Sequence, residues 1–497
     1  MESPVFPWRI WCATAVIAVI FFSFTLTSAV PVWVDESMIV EIGRVTLAGD
    51  QPVFGFHQRS DSHRPIYAYA LLGNILQEIA FRATAPSNAG PRLSALLGQL
   101  AAFGWFVYYL RLRGLNVTFS VLLGLALLID PLCDISWRGG RVDAWAFAFL
   151  FASLGAIRTA RDRPGGDRRG WLPLFLGGVA AAAGFLSWPS FAMLSPLIVL
   201  ELGTLVMQRR AFLFPICLFA VGGTLAAAAM IAPFHREFVY GLSDAALLTV
   251  MQAKMSRGDG IREQLQGLLL SFAQTPIVVA AGLCALARRR NRLLLAGFLV
   301  TLVFIFGTKV YRLRVLYLLP YLYLAVASMF CQDDGQPARF PWQRAGAWAV
   351  ALMLFAGASF TVAGTTLSGL SDRSGKNPLA LIEPARSVIG GGPVRVFMQE
   401  PDLYFAGRAL GWQQFYCFDG CWGPGMPTQT FQDLLSSMDI AIFRREPDAL
   451  TSRVIEKLGF RFGIVMLPAG GHQSSLFGWS YGPRSYGPYF IYRRQQK

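Results

Sequence analysis

Charged residues are scarce in this sequence. Only 15% of its 497 residues are charged, whereas a typical soluble domain carries about 25%. Hydrophobic residues make up 54% and are concentrated in long runs such as Trp11–Val30, Ala211–Ala232 and Leu293–Phe306. Because about 20 helical residues cross the hydrocarbon core of a bilayer, and backbone polar groups in lipid must be paired, these runs predict membrane-spanning helices. The composition therefore excludes a soluble fold.

Cofactor-binding patterns are also missing. The sequence contains no P-loop and no G-x-G-x-x-G motif, and its four histidines show no metal-binding spacing. No cofactor is therefore predicted. Whether a divalent metal binds stays open, because carboxylates are present but their spacing matches no metal-binding motif. Cysteines are few, but Cys417 and Cys421 lie close together in C-F-D-G-C. They are candidates for a local disulfide in an oxidising compartment.

The net charge is +15, which in a soluble chain would indicate a nucleic-acid partner. In a membrane protein, basic residues on cytoplasmic loops and contacts with lipid headgroups account for such an excess. We therefore expect membrane lipid as a partner and no nucleic acid.

The apolar runs predict a polytopic α-helical membrane protein with about 11 transmembrane helices. The predicted spans are residues 10–30, 92–110, 117–136, 142–157, 171–187, 190–207, 211–232, 266–287, 293–308, 314–330 and 345–363. The segments on the side of the N terminus are denser in arginine, which predicts a cytoplasmic N terminus. Residues 66–81 are apolar but short and are interrupted by Asn74, Gln77 and Glu78. We expect an outer interfacial helix there. If the segment crossed the membrane instead, every later loop would lie on the opposite side.

Two domains are expected, namely a transmembrane module at residues 1–363, with its first outer loop at 31–91, and an extracytoplasmic domain at 364–497. After residue 363 short strand-like segments alternate with helical ones, which predicts a small α/β domain. The predicted strands are residues 394–398, 440–443, 463–467 and 489–492, and the predicted helices are residues 378–389, 431–438 and 450–458.

Carboxylates and cations gather beside the predicted spans on the outer side. Asp35 and Glu36 follow the first span in P-V-W-V-D-E-S. They suit either a helix N-terminus or a carboxylate base at the membrane surface. Arg138, Arg141 and Asp143 lie in W-R-G-G-R-V-D-A-W. They suit either a local ion pair and helix cap or a phosphate site, because arginine binds phosphate bidentately.

A further basic cluster opposes the positive-inside rule. Lys309, Arg312 and Arg314 lie in T-K-V-Y-R-L-R on the predicted outer side. Lipid headgroups or a phosphorylated substrate would compensate these charges. Arg64 precedes the predicted interfacial helix and is another candidate. Sugar transfer from a lipid phosphate needs a carboxylate beside cations that bind phosphate. The carboxylate removes the acceptor proton, and the cations stabilise the departing phosphate.

These segments, taken in order, resemble the GT-C membrane glycosyltransferases, in particular the group of protein O-mannosyltransferases, aminoarabinose lipid A transferases and rhizobial lipopolysaccharide-core transferases. The resemblance covers about residues 10–330 and rests on V-W-V-D-E-S-M, R-P-I-Y-A-Y-A-L-L, P-R-L-S-A-L-L-G, R-G-G-R-V-D-A-W-A-F and K-V-Y-R-L-R-V-L-Y-L-L-P-Y-L-Y-L-A. It implies an inverting, polyprenyl-phosphate-sugar-dependent glycosyltransferase of the bacterial inner membrane.

The resemblance also implies roles for individual residues. Asp35 would be the catalytic base, with Glu36 as its acidic neighbour and Asp143 and Arg141 completing the site. The residues implied to contact the carrier phosphate are Arg64, Lys309 and Arg312. The expected acceptor is a lipid-linked glycan or a lipopolysaccharide-type glycolipid. Alternatives are transfer to protein hydroxyls, a transporter of an anionic or lipid-linked substrate, and a non-catalytic scaffold.

Overall fold

Each predicted span overlaps at least one helix, although the helix of the first span ends at Ser23 and the span at residues 314–330 is divided into two α-helices and a 3-10 turn. The computed structural model describes residues 8–30, 32, 34–48, 56–57, 70–162, 170–209, 213–235, 260–308, 310–330, 341–371, 377–417, 428–466, 474–476, 479–481 and 486–495. The α-helices up to residue 371 are α1 (Trp8–Ser23), α2 (Val34–Ala48), α3 (Leu71–Thr84), α4 (Ala89–Leu112), α5 (Val117–Leu128), α6 (Pro131–Arg138), α7 (Asp143–Arg161), α8 (Trp171–Ser187), α9 (Ser195–Arg209), α10 (Leu213–Ile231), α11 (Ile261–Phe272), α12 (Pro276–Leu286), α13 (Arg292–Thr308), α14 (Arg312–Val315), α15 (Leu319–Ser328) and α16 (Pro341–Ser371).

Membrane-length helices are confirmed within the described residues. Five segments are long and apolar enough to cross a bilayer, and the number rises to seven if each bent pair forms one span. The five are Ala89–Leu112, Pro189–Gln208, Phe214–Phe234, Arg289–Thr308 and Trp348–Leu370. The helices α1 and α8 are also apolar but shorter. The chain is therefore a polytopic membrane protein.

Two predicted spans are bent where the sequence predicted continuous helices. The helices α5 and α6 meet at 54°, and α11 and α12 meet at 106°. Pro131 and Pro276 stand in the first turns of α6 and α12. Proline has no N–H group and its ring clashes with the preceding turn, so it starts a new helix more readily than it continues one. The Asp130 carboxylate also accepts a hydrogen bond from the Leu132 N–H at 3.0 Å and caps α6.

Residues 71–81 of the predicted interfacial segment belong to α3, whose polar side chains face the protein, and residues 66–69 lie outside the described residues. Asn74, Gln77 and Glu78 are buried, whereas Ile79 is exposed. Gly43 of α2 lies so close to α3 that a Cβ there would be 2.1 Å from the Asn74 carbonyl oxygen. The polar residues that interrupt the apolar run are therefore explained by packing against α2 and the rest of the protein.

The C-terminal region contains the predicted α/β domain. Its α-helices are α17 (Ile382–Ile389), α18 (Tyr404–Leu410), α19 (Thr428–Ser436) and α20 (Ala449–Lys457). The strands of the chain are β1 (Phe56–His57), β2 (Arg395–Met398), β3 (Gln413–Cys417), β4 (Ile440–Phe443), β5 (Phe460–Met466), β6 (Ser474–Leu476), β7 (Trp479–Tyr481) and β8 (Tyr489–Arg494). The predicted boundary at residue 363 falls inside α16, which continues to Ser371.

One mixed sheet organises this domain, with strand order β1-β3-β2-β4-β8-β5. The strands β1, β3, β2 and β4 are parallel, and β8 runs antiparallel to β4 and β5. The strands β6 and β7 form a separate antiparallel pair. The edge strand β1 comes from the segment between α2 and α3, so that segment is tied to the C-terminal sheet. This pairing was not predicted, because β1 is only two residues long.

Candidate active site

Arg141 joins the two carboxylates that the sequence placed in one site. It lies between α6 and α7, and its Nη1 donates to Asp35 Oδ2. Its Nε donates to Asp143 Oδ2 at 2.6 Å. The guanidinium also stacks on the Trp188 ring, 5.0 Å from the ring centroid. Residues from the start of α2 and from the start of α7 are therefore held together by one arginine.

Asp143 is a buried anchor for that arginine. Besides Arg141, it accepts hydrogen bonds from Ser136 Oγ at 2.9 Å and from the Tyr317 hydroxyl at 2.7 Å. Its side chain is 1% exposed, whereas that of Asp35 is 14% exposed. Within this cluster Asp35 is thus the more exposed carboxylate, and Asp143 orients Arg141.

A second cation lies close to Arg141. Arg312 begins α14, just before the tenth predicted span, and is half-buried. Burial lowers the pKa of Arg312, and the positive charge of Arg141 lowers it further. An anion near both groups would relieve this repulsion, as Asp35 and Asp143 already do at Arg141. Arg314 is instead buried and stacks on the Tyr311 ring, 5.1 Å from its centroid.

Glu36 points away from Asp35 into a separate ion pair. Its two carboxylate oxygens accept from Arg92 Nε and Nη2, each at 2.9 Å, and both side chains are fully buried. Arg92 Nη1 also donates to the Leu26 and Val30 carbonyl oxygens. The pair therefore ties α4 to the segment that leads from α1 into α2. This placement favours a structural role for Glu36 over a catalytic one.

Arg138 is likewise enclosed by the protein. Its Nε donates to Asp134 Oδ1 at 2.7 Å, and its Nη1 and Nη2 donate to the hydroxyls of Thr25 and Thr366. Its side chain is 0% exposed, and its guanidinium lies over the rings of Phe22 and Trp137. A phosphate would have to displace these contacts, so the geometry favours Arg138 as a link between α6, the turn after α1 and α16.

Gly140 makes the separation of these two arginines possible. Its φ is +62°, and a Cβ built there would lie 2.8 Å from Glu36 Cγ. Gln77 Nε2 donates to its carbonyl oxygen at 2.8 Å. An L side chain in the left-handed region costs about 1–2 kcal/mol even without a clash. Only glycine therefore fits the turn between Arg138 and Arg141 without strain.

Substituting Gly140→Ala is expected to destabilise the protein more than Gly114→Ala. Gly114 also has a positive φ, +83°, but a Cβ there would meet no atom within 4 Å. Both variants carry the backbone strain, and only Gly140→Ala adds the contact with Glu36. Thermal unfolding of the purified chains in detergent measures the difference. Equal midpoint shifts for the two variants would contradict this account of the turn.

Some candidate residues lie outside the part of the chain that the structure describes. They are Arg64, Lys309 and Cys421, so the predicted disulfide and two of the predicted phosphate contacts stay predictions. Among the described residues, no group of three or more His, Cys, Asp or Glu side chains lies close enough to hold a metal ion. The divalent metal left open by the sequence thus has no candidate ligand set in that part of the chain.

The C-terminal domain contacts α2, the helix that carries Asp35, and also Val32 just before that helix. The Tyr486 hydroxyl accepts from the Val32 N–H at 2.9 Å, three residues before Asp35. Further along α2, Glu41 accepts from the Tyr404 hydroxyl at 2.8 Å. Arg408, which follows Tyr404 on α18, donates to the buried Glu78 of α3 at 3.2 Å. The position of Asp35 therefore depends on both domains.

Comparisons with known proteins were informative only at the level of structure. No protein-family model matches the sequence, and no curated protein matches it. Among solved structures, ArnT from Cupriavidus metallidurans bound to undecaprenyl phosphate superimposes with a TM-score of 0.53 at 14% identity, over 98% of this chain and 98% of that chain.

Two other solved structures are similar. The apo oligosaccharyltransferase of Archaeoglobus fulgidus matches with a TM-score of 0.54 at 11% identity, over 88% of this chain and 69% of that chain. Arabinofuranosyltransferase AftD from Mycobacteria matches with a TM-score of 0.56 at 16% identity, over 100% of this chain but only 40% of that chain. All three are GT-C glycosyltransferases.

The chain has the GT-C fold. The decisive observation is the match to ArnT over almost the full length of both chains, which includes the spans and the C-terminal domain. The GT-C fold confirms the resemblance predicted from the ordered sequence segments. At identities of 11–16%, the likeness establishes the fold, whereas activity must be argued from the site.

Proposed function

We propose that this chain is a glycosyltransferase that moves a sugar from a polyprenyl-phosphate donor to a lipid-linked glycan or lipopolysaccharide-type acceptor. The reaction takes place at the extracytoplasmic face of the bacterial inner membrane, with the N terminus in the cytoplasm and the C-terminal domain outside. The observation that carries the proposal is the arrangement of Asp35, a partly exposed carboxylate, against Arg141, with the half-buried Arg312 beside that arginine. A base and an anion site are thus combined on a GT-C fold.

Each residue has a defined part in the proposed reaction. Asp35 accepts the proton of an acceptor hydroxyl while that oxygen attacks the anomeric carbon of the donor sugar. The bond between that carbon and the carrier phosphate oxygen breaks, and the configuration at the carbon inverts. Arg141 and Arg312 stabilise the negative charge that develops on the departing phosphate. Asp143 acts through Arg141, because it fixes the guanidinium by a direct hydrogen bond.

The contact between Arg141 and Asp35 suits a general base. The guanidinium holds Asp35 Oδ2 and so fixes the orientation of the carboxylate. The buried Asp143 neutralises part of the Arg141 charge, and Arg141 therefore divides its hydrogen bonds between Asp143 and Asp35. The proposal therefore assigns Asp35 to catalysis, and it assigns Glu36 and Arg138 to holding the helices that surround the site.

The direct test is mass analysis of cell-envelope glycolipids from cells with and without the gene. The proposal predicts that a glycolipid loses the mass of one sugar residue in the deletion strain and regains it on complementation with the wild-type gene. An unchanged glycolipid profile together with a missing sugar on an envelope protein would instead support transfer to protein. That alternative has support from the fold, because a similar archaeal oligosaccharyltransferase has been solved tethered to an acceptor peptide.

Removing the charge of Arg312 is expected to weaken donor binding. Hydrogen bonds to charged groups contribute about 1.5–3 kcal/mol, so Arg312→Gln should lower the affinity for undecaprenyl phosphate about tenfold or more. Binding of that carrier to the purified chain in detergent measures the change. The control is Arg289→Gln, an exposed arginine before the opposite end of α13. Equal affinities for the Arg312 and Arg289 variants would reassign Arg312 to lipid headgroups.

A further inference from the structure

The segment between α1 and α2, which leads to Asp35, is held by the transmembrane helices. Ser28 Oγ donates to the Gly369 carbonyl oxygen of α16 at 2.9 Å. Arg92 Nη1 of α4 donates to the Val30 carbonyl oxygen at 2.8 Å. These contacts fix the segment as far as Val30, which lies five residues before Asp35.

A further contact, closer to Asp35, comes from the C-terminal domain. The Tyr486 hydroxyl accepts from the Val32 N–H at 2.9 Å, and both residues are buried. Tyr486 lies just before β8, and its ring belongs to an apolar cluster that also contains Val32 and Leu403. A buried backbone N–H that lacks an acceptor is costly, so this hydroxyl determines where the chain runs at Val32.

The other side of Asp35 is held by its neighbour Glu36. The Glu36 carboxylate is paired with Arg92, and Asn88 Nδ2 also donates to it at 3.2 Å. Asp35 therefore lies between an anchor to α4 and an anchor to the C-terminal domain. The two anchors are close enough to interact, because burial raises the pKa of Tyr486 and the positive charge of Arg92 opposes this rise.

The contact at Val32 bears directly on the position of Asp35. Only two residues separate them, and α2 begins at Val34. A displacement of the chain at Val32 is therefore passed on to the first turn of α2. Arg141 fixes the orientation of the carboxylate, whereas Tyr486 fixes the backbone that carries it. A catalytic group that is misplaced by about 1 Å can lower a rate about a hundredfold.

We propose that Tyr486 is a positioning residue through which the C-terminal domain sets the place of the Asp35 carboxylate. This inference rests on the proposed role of Asp35 as the base. Tyr486 does not contact the substrate, and it acts through the Val32 N–H and the first turn of α2. The C-terminal domain is thus needed for the rate of sugar transfer as well as for stability.

Tyr486→Phe tests this role, because it removes the hydroxyl and retains the ring in its apolar surroundings. The variant should lower kcat for sugar transfer about tenfold, with an unchanged affinity for undecaprenyl phosphate. The matched control is Tyr489→Phe. Tyr489 is also buried and lies three residues further on, but its hydroxyl donates to Asp402 inside the C-terminal domain at 3.0 Å. The control should keep the wild-type kcat, whatever its unfolding midpoint.

Hydrogen–deuterium exchange of the full chain in detergent gives a second readout that does not depend on transfer. Peptides that cover residues 32–36 should exchange faster in Tyr486→Phe than in the wild-type chain or in Tyr489→Phe. Equal kcat values, or equal exchange, for the two tyrosine variants would overturn the proposal. If the wild-type chain transfers no sugar, the proposed function fails, and exchange alone then decides whether Tyr486 holds this segment.

Discussion

Asp35→Asn is expected to lower sugar transfer at least about a hundredfold, the usual minimum contribution of a general base. Asparagine has nearly the same shape, and its amide oxygen can still accept from Arg141. It cannot take the proton of the acceptor hydroxyl. The variant should therefore fold normally and bind undecaprenyl phosphate as tightly as the wild-type chain does. The measurements are the transfer rate with saturating donor and the carrier affinity of the same preparation.

A matched control for this variant is Glu383→Gln, which removes one carboxylate charge at an exposed site on α17. It should transfer sugar at the wild-type rate. Near-normal transfer by Asp35→Asn would show that Asp35 is not the catalytic base. Loss of both transfer and carrier binding would show that the substitution disturbs the site as a whole, which would also contradict the role of a simple proton acceptor.

Arg92→Met is expected to produce the largest loss of stability. The substitution leaves the Glu36 carboxylate buried without its cation. It also removes the hydrogen bonds that Arg92 donates to the carbonyl oxygens of Leu26 and Val30. Breaking a buried ion pair in this way typically costs about 3–5 kcal/mol. Denaturant or thermal unfolding of the purified chain in detergent measures the loss.

Two variants show whether the loss arises from the uncompensated charge. Combining Arg92→Met with Glu36→Leu should recover much of the stability, because a buried pair can be replaced by apolar side chains at little cost. Arg386→Met, which breaks an exposed pair with Glu383, should have little effect, since such pairs contribute little to stability. A double variant as unstable as Arg92→Met alone would show that Glu36 is not the source of the loss.

Adjacent residues with the same charge can have different roles that the sequence alone does not distinguish. Asp35 and Glu36 are consecutive acids, and the sequence offered both for catalysis. On a helix, consecutive side chains are about 100° apart, so the structure directs Asp35 to Arg141 and Glu36 to Arg92. Arg92 lies at the start of a predicted span, 56 residues from Glu36. No local pattern links residues so far apart in the chain.

The same limit applies to Arg138 and Arg141. Both lie in R-G-G-R, yet the positive φ of Gly140 turns the chain between them and gives them separate partners. Ser136, Trp188 and Tyr317 complete the surroundings of Arg141 and Asp143, and none was predicted. A buried tyrosine or tryptophan in an apolar run gives no sign that its polar or ring surface serves a site.

The fold was predicted more completely than the site, because long apolar runs are a direct sign of helices in lipid. The predicted strands and helices of the C-terminal domain also correspond to observed elements. The missed elements are β1, β3, α18 and the β6–β7 pair. These are short, and β1 exists only because it pairs with β3 from the distant C-terminal domain. Such pairing depends on tertiary contacts rather than on local sequence.

In the proposed reaction, sugar leaves a polyprenyl phosphate and becomes bonded to an acceptor. Donor lipid extracted from the deletion strain, acceptor membranes from that strain and the purified chain in proteoliposomes allow both products to be weighed by mass spectrometry. We expect free carrier phosphate and the acceptor carrying one extra sugar to appear in equal amounts, and we expect Asp35→Asn to produce neither. Movement of intact, sugar-loaded carrier between leaflets, with no free carrier phosphate formed, would contradict the account and indicate a transporter.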